Sequence, residues 1–315
     1  MQYSRLDLVE IHRNDDQQPD ECAMKLSLII CTRNRASSLT PCLQSIAKAH
    51  RRLNVDLVDV ELIAVDNASS DATQAVIEAF AQRQSFPVRY VQAPVPGLSR
   101  ARNIGVKASS GEWLAFTDDD CIVRPHYFLR LQARLDVRRF QYGMASIVRY
   151  NELDDPRIAQ CQIEKESLIA KGTRILPAGT IQGANMFMHR SVFDQCGLFD
   201  EALGAGTPFP CEDIDLACRA SRSGFTGALL PDPIVYHDHG RRTGSAEAQQ
   251  TLESYDAGRG AYYAKLLIND TPEIWDLWRR SFEYFKDKKQ FSRELIAAGE
   301  YLAQASLSPG PNRAN

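Results

Sequence analysis

Alternation of short apolar runs with helical patterns between residues 26 and 118 limits the folds open to this chain more than any other feature. "LSLIIC" (26–31), "VELIAVD" (60–66), "VRYVQ" (88–92) and "EWLAFTD" (112–118) read as strands. Between them, "SSLTPCLQSIAKAH" (37–50), "SDATQAVIEAFAQRQ" (70–84) and "LSRARNIGVKAS" (98–109) read as helices. Strands that are apolar throughout are buried on both faces. When helices separate them they build parallel βαβ units, which bind ligands at the carboxyl ends of the strands.

Polar residues gather at those ends. The first strand runs into Thr32, Arg33, Asn34 and Arg35, the second into Asp66 and Asn67, and the fourth into Asp118, Asp119 and Asp120. Two like charges about 4 Å apart cost on the order of 1 kcal/mol in water and more near a surface, so the acidic triplet calls for a cation. In the second half, "GMASIVRY" (143–150) and "GANMFMHR" (183–190) read as strands, "EDIDLACRASRSG" (212–224) as a helix and "PIVYHDHG" (233–240) as a short strand or loop. The pattern is helical from 246 to 306. The expected organisation is a polar leader (1–24), an α/β domain (25–242) and a helical C-terminal extension (243–315).

With 37 basic and 40 acidic residues the net charge is -3, so no global basic field exists and nucleic acid is not an expected partner. No pair of the eight cysteines has C-x-x-C spacing, which argues against a zinc site, and they read as reduced core thiols. The N-terminal stretch lacks an apolar core of the signal-peptide kind, and nowhere do about 18 apolar residues run together. The cytoplasm is therefore the expected compartment. "CTRNRASS" after the first strand has neither G-x-G-x-x-G nor G-x-x-x-x-G-K-[ST], which argues against a nicotinamide or P-loop enzyme. A nucleotide diphosphate bound there would need a divalent metal to neutralise it.

In order, "CTRNR", "VDNASSD", "GLSRARNIG", "FTDDD", "CEDIDLACR" and "YHDHGRR" resemble the motifs of family 2 glycosyltransferases, and the resemblance spans roughly residues 25–242. It implies a GT-A fold: a Rossmann-like, mixed but mainly parallel sheet flanked by helices, with a nucleotide-binding half (25–120) and an acceptor half (121–242). It also implies that Thr32, Arg33, Asn34, Arg35, Asp66, Asn67, Arg102, Asp118 and Asp119 line the nucleotide, with Arg100 as the rival of Arg102. Asn67 stands where a second acid is usual, which leaves the base open. Asp118 and Asp120 map onto the family's DxD element and, with His237, imply a site for Mn²⁺ or Mg²⁺. His239 is the alternative to His237, and a one-residue shift in register would make Asp119 a ligand.

By the same resemblance Asp213 is the catalytic base, while Glu212, Gly183 and Asn185 line the sugar or acceptor pocket. Capping of the helix start is the other role open to the acids at 212, 213 and 215. The implied reaction is inverting transfer of sugar from a nucleotide-sugar donor (UDP-, dTDP- or GDP-sugar) to a hydroxyl of a saccharide or lipid-linked acceptor, as in polysaccharide or glycolipid assembly. A nucleotidyltransferase would carry a glycine-rich basic loop after the first strand, and a non-catalytic nucleotide-sugar binder would have no use for "CED". In the tail, Trp275, Trp278, Phe282 and Phe285 form an aromatic stripe. It suits packing on the catalytic domain or on a second subunit of a homodimer, or peripheral contact with the inner face of a membrane.

Overall fold

The computed structural model describes residues 24–53, 58–284 and 288–307. The expected leader therefore lies outside the described residues except for Met24, which begins β1 (Met24–Thr32). The first half follows the expected alternation: α1 (Thr40–His50), β2 (Val58–Asn67), α2 (Thr73–Ala81), β3 (Val88–Ala93), α3 (Leu98–Ala108) and β4 (Trp113–Asp118). Next come β5 (Cys121–Val123), α4 (Tyr127–Arg134), β6 (Tyr142–Arg149), β7 (Ser167–Ile169), β8 (Asn185–His189), α5 (Arg190–Cys196), α6 (Glu212–Arg222) and β9 (Gly227–His237). The helices α7 (Ala246–Ile268), α8 (Glu273–Tyr284) and α9 (Lys288–Leu307) follow.

Among the described residues one nine-stranded sheet runs in the order β3-β2-β1-β4-β8-β6-β9-β5, with β7 pairing β9. The pairs β1–β2, β1–β4 and β2–β3 are parallel, β8 is antiparallel to both β4 and β6, and β6 is parallel to β9. The carboxyl ends of β1, β2, β4 and β9 thus share an edge with the start of β8. That reversal brings residues just before Asn185 to the edge where the acids of β4 end. Leu28, Ile30, Leu62, Ala64, Leu114 and Ala115 are fully buried in the sheet, as strands covered on both faces require.

Strand β9 begins at Gly227 rather than at the expected Pro233. Its "LPDP" looks like a turn, but pairing with β6 jumps from Ala145–Leu230 to Ile147–Val235, so Pro231 and Pro233 sit where the ladder is interrupted. A strand tolerates proline at such a point because no ladder donor is required there.

The tail packs back onto the domain. Lys265 on α7 bonds Asp200 at 2.6 Å and Asp215 at 2.8 Å, and Tyr301 on α9 meets Phe209 edge-on. At Gly258 the backbones are so close that an added Cβ would lie 2.2 Å from the carbonyl oxygen of Pro210. Gly→Ala in a helix interior ordinarily gains about 1 kcal/mol, but here overpacking should reverse the sign. We expect Gly258→Ala to lose about 1–3 kcal/mol in chemical unfolding, and a gain would show that α7 does not seat there. The aromatic stripe divides: Trp278 is buried beside Tyr263, whereas Trp275 (61 %) and Phe282 (49 %) are exposed. Phe285 lies outside the described residues. Among the described residues no helix is long and apolar enough to cross a membrane.

Candidate active site

The acids ending β4 meet three cationic side chains. Arg35 Nε lies 3.5 Å from Asp119 Oδ1, and its Nη2 lies 3.3 Å from Asp120 Oδ2. His237, at the end of β9, places Nε2 2.9 Å from Asp120 Oδ1, and Arg102 on α3 places Nη2 3.5 Å from Asp118 Oδ1. The pairing of Cys121 with His237 in the β5–β9 ladder fixes the histidine against the triplet. Burial pushes the Asp120 carboxyl up, but His237, Arg35 and Arg241 outweigh it and hold the group below its ordinary value.

Arg102 organises the next layer. It is 4 % exposed, its Nη1 meets Glu212 Oε1 at 2.5 Å, and its guanidinium lies over the Phe199 ring at 5.7 Å. Its rival Arg100 turns outward to Glu201 at 2.9 Å. Gly183 leaves the space that Arg102 fills, since a Cβ there would lie 2.1 Å from Nη2. The Gly183 N–H donates to Asp213 Oδ2 at 2.9 Å, and the Ile214 N–H donates to Oδ1 at 2.7 Å. Arg102, Asp118, Gly183, Glu212 and Asp213 all line one cavity of about 310 Å³. Burial raises the Asp213 carboxyl above its ordinary value despite Arg102, and pushes Glu212 up to about 7.

Other expected residues are taken up elsewhere. Asp66 accepts from the Ser69 N–H (2.9 Å) and the Tyr90 hydroxyl (3.1 Å), and Asn67 Oδ1 accepts from the Gly97 N–H ahead of α3. Asn34, with φ 54°, accepts from the Ser70 N–H and donates its own N–H to Ser69. Thr32 is buried at the end of β1, and Arg33 is exposed. Asn185 corrects an expectation: it does not line the cavity. Its amide is buried and bonded to Tyr127, Ser146 and Pro233, because β8 is an interior strand. Asp215 points to Arg219 and Lys265, away from the cavity. His239 accepts from the Arg241 N–H, and Arg242 pairs with Asp154 at 2.8 Å, so both tie down the loop after β9.

Two of the expected ligands, Asp120 and His237, offer donors that fit a divalent ion. Ligand atoms of Asp120, Cys121 and His237 lie within 4.8 Å of one another, while Asp118 turns to Arg102. Burial pushes the Cys121 thiol well above its ordinary value, and a neutral thiol is a poor ligand for Mn²⁺ or Mg²⁺. Asp120 Oδ1, however, is a buried acceptor with no aligned hydrogen bond, beside an imidazole nitrogen. A hard cation satisfies such an oxygen.

Sequence reasoning missed Tyr255 and Arg259, which reach the cavity from α7, and Arg157, which reaches it from the loop before β7. Arg259 is fixed by Asp256 (2.6 Å) and Glu294 (2.7 Å). Tyr255 and Arg259 are one helical turn apart, so they share a face. Only tertiary packing selects that face, and no local signal in the tail marks it.

A family model described as "Glycosyl transferase family 2" matches residues 27–197, more than half of the 315-residue chain. The chain belongs to glycosyl transferase family 2. An uncharacterized glycosyltransferase of Haemophilus influenzae is 26% identical over 282 residues, 83% of this chain and 89% of the relative. The succinoglycan biosynthesis protein ExoO of Rhizobium meliloti is 27% identical over 257 residues, 77% of this chain and 66% of that protein. Among solved structures, Staphylococcus aureus TarS 1-349 superposes with a TM-score of 0.61 at 17% identity, covering 89% of this chain and 80% of that one. The mannosyltransferase PcManGT of Pyrobaculum calidifontis, in complex with GDP-Man and Mn2+, gives 0.59 at 17% identity over 94% and 80%. The chain is thus a family 2 glycosyltransferase with the GT-A fold.

In this family 2 site several groups hold protons more tightly than in the unfolded chain. Asp119 rises from 3.8 to about 6 and Glu212 from 4.5 to about 7, both mainly through burial. Burial opposes the charge on His237, but Asp120 and Asp118 outweigh it and raise the ring from 6.5 to about 8. Stability from such groups is full below the unfolded values and is lost as pH rises through the folded ones. Without divalent metal, the melting temperature should therefore fall between pH 5.5 and 8.5. Glu212→Gln should flatten the fall around pH 7, and a melting temperature that rises across the window would contradict these shifts.

Proposed function

We propose that the protein is a metal-dependent, inverting glycosyltransferase that moves a sugar from a UDP-, dTDP- or GDP-sugar to a hydroxyl of a saccharide or lipid-linked acceptor. The observation that carries this reading is the meeting of Asp118, Arg102, Glu212 and Asp213 on one cavity at the carboxyl edge of the sheet. The nucleotide lies along the ends of β1 and β2, near Thr32 to Arg35 and Asp66. Arg102 faces the diphosphate with a guanidinium already fixed by Glu212 and Phe199, so little ordering is required on binding.

Asp213 is the base. It takes the proton of the acceptor hydroxyl as that oxygen attacks the anomeric carbon from the face opposite the diphosphate. The bond from the anomeric carbon to the phosphate oxygen then breaks, and its electron pair leaves with the diphosphate. Two backbone N–H groups hold the Asp213 carboxylate in place, and burial makes it a better proton acceptor than an exposed one. Asp120 and His237, with Asp118 nearby, would hold a divalent ion, whose charge would offset that of the departing diphosphate. The relative named for succinoglycan biosynthesis and the TarS structure solved with UDP-GlcNAc support polysaccharide assembly and a nucleotide-sugar donor.

Incubation with each sugar nucleotide, Mn²⁺ and candidate glycoside acceptors should release nucleoside diphosphate and yield product of inverted anomeric configuration by NMR. A retained configuration would rule out a single displacement at Asp213.

A further inference from the structure

The triplet already has a resident cation, and the way it is held has a consequence for metal binding. Arg35 is fixed at its root: its N–H donates to Thr73 Oγ1 at 3.0 Å, and Asn34 beside it is tied to Ser69 and Ser70. Its outer end is held by longer contacts. One guanidinium is shared between Asp119 and Asp120 at 3.5 and 3.3 Å, without the short parallel bonds of a bidentate pair, and the side chain is 39% exposed. The acids beneath it are 11% and 14% exposed, so Arg35 covers them from the solvent side. Asp120 thus has Arg35 on Oδ2 and His237 beside Oδ1. A divalent ion taking Asp120 arrives next to a guanidinium of the same sign.

We propose that Arg35 is a displaceable counter-cation: a divalent ion reaches Asp120 only as Arg35 leaves it, and a donor diphosphate favours that exchange by taking the guanidinium. This rests on the metal-dependent reading above. The departing fork matches phosphate oxygens in a way an ammonium cannot. Because such coupling is reciprocal, the factor by which the diphosphate tightens the metal is also the factor by which the metal tightens the diphosphate.

Binding of Mn²⁺ alone, followed by electron paramagnetic resonance of the free ion, tests the exchange in folded variants checked by circular dichroism. Arg35→Ala should bind Mn²⁺ about tenfold more tightly than wild type. Arg35→Lys, which keeps the charge, should stay within about threefold of wild type, and Asp120→Asn should abolish binding. In saturating UDP, dTDP or GDP, whichever tightens Mn²⁺ on wild type, the gap between wild type and Arg35→Ala should close. Equal or absent Mn²⁺ binding in wild type and Arg35→Ala, or a gap that none of the three nucleotides closes, overturns the proposal. Sugar transfer by Arg35→Ala with unchanged metal affinity would remove the displacement and leave the proposed function standing.

Discussion

Asp213→Asn should lower kcat by about 10²–10⁴-fold and leave nucleotide affinity within a few fold of wild type. The amide keeps the volume of the side chain and an acceptor for one of the N–H groups of Gly183 and Ile214, which bond separate carboxylate oxygens. Its NH2 faces the other, a loss of about 1 kcal/mol that the start of α6 should survive. What disappears is the capacity to accept a proton. Glu212 cannot substitute, because its carboxylate is buried against Arg102 at 2.5 Å. Steady-state kinetics with nucleotide titrations on the same preparation separate the two effects. Near-normal turnover would move the base elsewhere on the cavity wall, and a parallel loss of nucleotide binding would mark Asp213 as a structural group.

Arg102→Met should have the largest effect on stability. Removing one partner of a buried ion pair typically costs about 3–5 kcal/mol, because the other charge is left without compensation. Here the stranded group is Glu212, already raised to about 7 with the arginine present, so it can take up a proton and recover part of the loss at low pH. The cost should therefore be larger at pH 8 than at pH 6. Arg100→Met is the control: its pair with Glu201 is exposed, and loss of such a pair costs about 0–1 kcal/mol. Arg102→Met/Glu212→Leu should recover much of the loss, since an apolar pair can replace a buried ionic one. Equal losses in Arg100→Met and Arg102→Met by urea unfolding would contradict the assigned roles of the two arginines.

The parallel half of the fold was legible because buried strands of β1 to β4 carry unbroken apolar runs and the helices between them are long enough for a period to show. β5 and β7 have three residues each, too few for any period, and α4 and α5 are short as well. The start of β9 was hidden by prolines that make sense only opposite a break in the β6 ladder.

The placement of candidate residues was legible where charge falls at strand ends, as with Asp118 to Asp120, and where a motif fixes the start of α6, as with Glu212 and Asp213. It was illegible where function depends on direction. Asn185 and Gly183 are two residues apart, yet one points into the sheet and the other makes room for Arg102. Arg100 and Arg102 also part around α3, and there the resemblance had already favoured Arg102. Tyr255 and Arg259 could not be placed on the cavity before the packing of α7 was known.

A thermal-shift panel of nucleoside diphosphates, with and without Mn²⁺, tests the grip of the β4 acids on a metal-bound diphosphate most directly. At about 100 times its dissociation constant, a nucleotide that binds only the folded state adds about 2.7 kcal/mol. The account predicts that at least one of UDP, dTDP and GDP raises the melting temperature strongly with Mn²⁺ and little without it, and that Asp120→Asn removes the metal-dependent part. A shift that needs no metal, or one that Asp120→Asn leaves intact, would contradict it.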